Sequence, residues 1–204
     1  MVQQIYSTKI YAVLVFLFAV HTAGAQHHHD MPAMDKNVYL SIMDTMMVNM
    51  DKALGAATIE ADFVNQMIPH HEGAVAMAKY EIKNGKDFAM IQLAKSILQE
   101  QTIELQQMRI WIKQPFAPSV PVTKTYPGEM QHTMDIMMQN MPDNAMLNNP
   151  DRAFAMVMLP HHQAAIDMAK VLLKYSKNSI ATSFAKHLIS SEQIEIEQMQ
   201  LYIK

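Results

Sequence analysis

Two stretches of the chain, Met67-Ile68-Pro69-His70-His71 and Met158-Leu159-Pro160-His161-His162, carry the same pattern at an offset of 91 residues. At that fixed offset Met43-Asp44-Thr45-Met46-Met47-Val48-Asn49-Met50 matches Met134-Asp135-Ile136-Met137-Met138-Gln139-Asn140-Met141. Ile103-Glu104-Leu105 and Gln107-Met108 likewise match Ile194-Glu195-Ile196 and Gln198-Met199, with no insertion. A chain that repeats without gaps builds its core from two copies of one unit. The repeats are expected over residues 36–113 and 130–204. Between them the segment 114–129, with Pro115, Pro118, Pro121 and Pro127, reads as an extended linker.

Each repeat divides into three helices. The first carries the methionine cluster, over about 36–54 and 129–142. The second opens at Thr58 or Asn149, both good N-caps, and Pro150 follows the latter at a position where proline is tolerated. In the first repeat it is expected to close at Asn84-Gly85 in a left-handed stop. The third begins after the caps Asp87 and Asn178 and runs to about 113 and to the C-terminus. No alternating pattern is long enough for strands, so the fold class is all-α, two tandem helical-bundle repeats. A core of about 75 residues needs further cover, from the other repeat or from a second copy of the chain in a homodimer.

The first 25 residues, with Lys9, the apolar run Ile10 to Val20 and Ala23-Gly24-Ala25, read as a secretory signal peptide, and the mature chain is expected to begin at Gln26 in the periplasm or otherwise outside the cytoplasm. Residues 26–35 are a polar leader in which no structure is expected. No later segment approaches the roughly 20 apolar residues of a membrane span. Because Lys9 is the only charge in the signal, the mature chain carries an excess of four acidic groups. That balance argues against a nucleic-acid partner.

The chain has no cysteine but 21 methionines and 10 histidines. Without thiolates, thioethers are the softest available ligands, and together with imidazoles they suit copper or silver. Met43, Met46, Met47 and Met50 lie on one side of the first helix, as do Met134, Met137, Met138 and Met141 in the second repeat. Such a stripe could simply fill a core, but leucine would specify that core better, so recurrence favours a metal role. On the second helix Met67, His70, His71 and Met77 share a broad face, as do Met158, His161, His162 and Met168.

Pro69 and Pro160 sit inside these helices, where proline removes a hydrogen bond and is expected to kink the chain just before the histidines. Met108 and Met199 on the third helix are placed toward the same interior. Glu104 and Glu195, one turn earlier, could orient a histidine through its second nitrogen, although solvated charges are the expectation there. In the leader, cleavage after Ala25 would put His28 third behind a free amine, an arrangement that wraps Cu(II) in square-planar nitrogen geometry.

The run Asp-Phe-x-x-x-Met-Ile-Pro-His-His-x-x-Ala-x-x-Met-Ala from Asp62 to Ala78 resembles the domain-of-unknown-function family three hundred and five. The second copy keeps Phe154, Met158, Pro160, His161, His162, Ala165, Met168 and Ala169 but has Ala153 in place of Asp62. The resemblance covers both repeats and implies ferritin-like helical bundles. It also implies a role like that of the family's periplasmic copper-resistance members, which bind copper and silver through His and Met. Carried over, it points to Met67, His70, His71 and Met77, and to Met158, His161, His162 and Met168.

The expected function is therefore a non-catalytic, exported protein that sequesters or ferries Cu(I), together with Ag(I) and Cu(II). Its expected partners are metal ions and a copper efflux or chaperone component. One alternative is a metal-free scaffold whose methionines form an adaptable surface. Another is a ferritin-like di-metal oxidase, which needs paired Glu-x-x-His motifs. Glu129 to His132 supplies one such motif, and the matching positions in the first repeat are Val38 and Ser41.

Overall fold

The computed structural model describes residues 35–53, 55–114 and 116–204. The expected signal peptide, nearly all of the leader, and His28 lie outside the described residues. Six helices follow in order: α1 (Val38–Asp51), α2 (Ile59–Asn84), α3 (Phe88–Trp111), α4 (Tyr126–Gln139), α5 (Pro150–Tyr175) and α6 (Ser179–Ile203). Thr58, Asp87, Asn149 and Asn178 each cap the following helix through a side-chain oxygen that accepts a first-turn N–H, which is why the chain breaks where it does. Among the described residues there is no strand beyond one antiparallel bridge between Thr58 and Pro121. No described helix is long and apolar enough to cross a membrane.

Three boundaries differ from expectation. α4 begins at Tyr126, inside the segment read as linker, because Pro127 occupies its first turn, where a missing N–H is harmless. It also ends at Gln139, so Met141 lies beyond the helix. Gly85, which ends α2, has φ −63° and ψ 158°, an extended rather than a left-handed conformation. Glycine fits there for a steric reason: a Cβ would lie 2.7 Å from the carbonyl oxygen of Glu81.

α2 and α5 form the centre and run antiparallel. Each carries an acid in its first turn, and each acid reaches the far end of the other helix. Glu60 Oε1 accepts from Ser176 Oγ, and Glu60 Oε2 accepts from the Val120 N–H at 3.0 Å. Asp151 Oδ1 accepts from the backbone N–H groups of Lys86 and Asp87 at 2.6 and 2.7 Å. α3 packs on α2 and α6 packs on α5, while α1 and α4 cover the outer faces. Aromatic contacts join the halves as well, with Tyr39 against Phe154 and Phe63 against Phe184. Both repeats thus share one buried core, and each supplies the cover that the other needs.

Both α2 and α5 continue through their buried prolines. Gly73 lets α1 approach α2, since a Cβ there would come within 2.9 Å of Met46 Cγ.

Two glycine substitutions separate these effects. Gly85→Ala should destabilise the fold by about 1–3 kcal/mol, because its neighbour is backbone and cannot move aside. Gly128→Ala in α4, where a Cβ meets nothing within 4 Å, should be neutral or stabilising by up to about 1 kcal/mol. Denaturant midpoints at constant slope would measure both.

Candidate metal centre

The four paired histidines are wholly buried at the middle of the α2–α5 contact. His70 and His161, equivalent positions of the two repeats, stack with ring centroids 3.8 Å apart and planes at 35°. His161 Nε2 lies 3.1 Å from the carbonyl oxygen of His70. A carbonyl can only accept, so His161 carries its proton on Nε2 and leaves Nδ1 with a free lone pair. Burial, followed by the neighbouring histidines, holds both His70 and His161 well below the usual histidine range. They are therefore neutral imidazoles, the form that can ligate a metal.

The other histidine of each pair turns toward the third helix of its own repeat. His71 Nε2 donates to Glu104 Oε2 at 2.9 Å, and His162 Nε2 donates to Glu195 Oε2 at 2.8 Å. Both carboxylates are buried, which corrects the expectation of solvated charges: α3 and α6 pack so closely on α2 and α5 that the edge of the apolar face is enclosed. A carboxylate that fixes one imidazole nitrogen orients the other toward a metal. The Nδ1 atoms of His71, His161 and His162 and both nitrogens of His70 are buried without a partner. They are free donor atoms, although no three of the four imidazoles bring ring nitrogens within 4.8 Å of one another.

Between the two Glu-His pairs, Gln101 Nε2 donates to Glu192 Oε1 at 2.9 Å. These are again equivalent positions of the two repeats, 91 residues apart. Burial pushes the Glu192 carboxyl well above the usual carboxylate range, and Glu104 and Glu195 push it further the same way.

The methionines form a second constellation. Met50 of α1, Met130 and Met134 of α4, and Met168 of α5 line a cavity of about 190 Å³, together with Asp62 and Gln66 of α2. All four thioether side chains are nearly or fully buried. Burial raises the Asp62 carboxyl, while the Ala56 N–H it accepts acts the other way.

Of the other candidate ligands, Met43, Met46, Met67, Met77, Met108, Met137, Met158 and Met199 are buried in the shared core. Met47 and Met141 are only partly buried. Met138 is 41 % exposed and does not join the inward face, because the short α4 meets the core along a narrower stripe through Met130, Met134 and Met137. The single Glu-x-x-His motif lies at the surface: Glu129 accepts from Lys174 Nζ and Tyr175 Oη, and His132 is exposed.

Sequence reasoning missed Met130, Gln101 and Glu192. Met130 stands opposite Tyr39 in the repeat alignment, so the duplication hid it, although its i, i+4 spacing to Met134 was a signal.

The sequence matches the family described as "Domain of unknown function (DUF305)" over residues 7–112 and again over 60–203. The chain belongs to the DUF305 family. No curated protein matches it. Solved structures similar to this DUF305 chain include CopM in the Ag-bound form, obtained by soaking, at 27 % identity and a TM-score of 0.54, covering 70 % of this chain and 93 % of that one. CopM in the Cu(I)-bound form is similar at 28 % identity and 0.54, covering 70 % and 94 %. A DUF305 fragment from Deinococcus radiodurans, at 22 % identity and 0.52, covers 74 % of this chain and 98 % of that fragment, and shares the fold.

The raised Glu192 carboxyl gives a pH signature. The folded protein binds its proton more tightly than the unfolded chain does, so the stability linked to it is full below the ordinary carboxylate range and is lost as pH rises above it. Glu192→Gln, which copies Gln101, should therefore be more stable than the parent at pH 8. Its advantage should shrink by up to about 1.4 kcal/mol per pH unit toward pH 5, as read from paired thermal melts.

Proposed function

We propose that this DUF305 protein is a non-catalytic carrier of Cu(I), and of Ag(I) by the same chemistry, that acts in the periplasm to sequester copper or pass it on. The observation that carries the reading is the cavity lined by Met50, Met130, Met134 and Met168, which come from three helices and both repeats. In a chain without cysteine, four neutral thioethers around one cavity would favour soft monovalent ions. The buried histidines with unpartnered Nδ1 atoms add donors that suit Cu(II) as well as Cu(I). Similarity to CopM, whose solved forms include Cu(I)-, Cu(II)- and Ag-bound states, supports copper and silver as the cargo. A copper efflux or chaperone component is the class of partner such a carrier would serve.

Thioethers have no proton to lose, whereas imidazoles must be neutral to bind. Cu(I) affinity should accordingly fall only partly between pH 7 and pH 5. Replacing Met50, Met130, Met134 and Met168 by Leu keeps the volume, at less than about 1.5 kcal/mol for each substitution. That variant should stay folded and lose at least about tenfold in Cu(I) affinity in anaerobic chelator competition. An unchanged Cu(I) affinity in the folded variant would refute the assignment. Glu104→Gln combined with Glu195→Gln should leave the methionine cavity intact and weaken Cu(II) binding by about 10- to 100-fold.

A further inference from the structure

A different donor set lies between the third helices of the two repeats. Glu100 and Glu104 are one turn apart on α3 and face His187 on α6, and one ligand atom from each lies within 4.8 Å of the others. His187 Nε2 is 3.6 Å from Glu100 Oε1, beyond hydrogen-bond distance.

The three side chains are graded in exposure: His187 is 66 % exposed, Glu100 29 % and Glu104 6 %. Glu104 uses Oε2 to hold His71, but its Oε1 is buried without a partner. An unpartnered carboxylate oxygen at the closed end of a cluster that opens to solvent at a histidine is a place for a cation.

The repeat supplies an internal comparison. At the offset of 91 the counterparts of Glu100, Glu104 and His187 are Ser191, Glu195 and Ser96. Ser191 Oγ is turned back onto the Leu188 carbonyl, so the equivalent positions, again split between α6 and α3, keep the buried carboxylate and lack the two outer donors. The donors are one imidazole and two carboxylates with no sulfur. They suit a divalent ion of borderline hardness and are poor ligands for Cu(I).

We propose that Glu100, Glu104 and His187 form a single, solvent-accessible site for zinc, a divalent cation of borderline hardness, built across α3 and α6 and not repeated at the equivalent positions of the duplication. It shares no residue with the methionine cavity, and Glu104 connects it directly to His71 of the histidine core. The site stands independently of the soft-metal reading.

Calorimetric titration of the purified apo-protein with zinc tests it, with anaerobic Cu(I) competition run in parallel. The unsubstituted protein should bind one equivalent of zinc through this site. Glu100→Gln combined with His187→Ala, both outside the core, should weaken that equivalent by at least about tenfold and leave Cu(I) binding unchanged. Ser96→His combined with Ser191→Glu should graft the missing donors and raise the stoichiometry to two. A zinc isotherm unchanged by the double substitution, or no zinc bound by the unsubstituted protein, overturns the site whatever the Cu(I) result.

Discussion

The antiparallel contact of α2 with α5 is the constraint on which the rest of the molecule depends. At each end a first-turn acid ties one helix to the turn beyond the other, Glu60 to Ser176 and Asp151 to Lys86 and Asp87. At the middle the stacked rings of His70 and His161 meet. Because these ties run between repeats, both the histidine core and the methionine cavity exist only when the two halves are packed together. The duplication has produced one bundle whose interior is shared.

That interior carries an energetic load. A buried polar atom without a partner costs about 1–3 kcal/mol, and His70, His71, His161, His162, Glu104, Glu192 and Glu195 all contribute such atoms. Met43, Met46, Met67, Met77 and their neighbours offset the load by apolar burial. A core built only for stability would replace the imidazoles with leucine. Retaining four buried imidazoles, two of them oriented by buried carboxylates, makes physical sense when those nitrogens have a ligand to hold.

Much of this was legible in the sequence because the governing interactions are local. Thr58, Asp87, Asn149 and Asn178 cap their own helices, and helical periodicity placed Met43, Met46 and Met50 inward. What could not be read depends on packing between elements. Glu104 and Glu195 sit at a helix edge, and only the closeness of α3 and α6 to the centre decides that they are buried. Met138 obeys the stripe pattern and still faces solvent, because α4 meets the core along a narrower face. Met130 was hidden because its counterpart is Tyr39, whose hydroxyl bonds to Glu81. The repeat is therefore a guide to the scaffold and a poor guide to where the two halves have diverged in chemistry.

The central claim is that soft-metal binding falls to thioethers gathered from both halves. X-ray absorption at the copper edge on the anaerobically Cu(I)-loaded protein tests it most directly. A first coordination shell dominated by sulfur, and lost when Met50, Met130, Met134 and Met168 are replaced by leucine, is the predicted result. A shell of nitrogen and oxygen alone, unaltered by those substitutions, would contradict it.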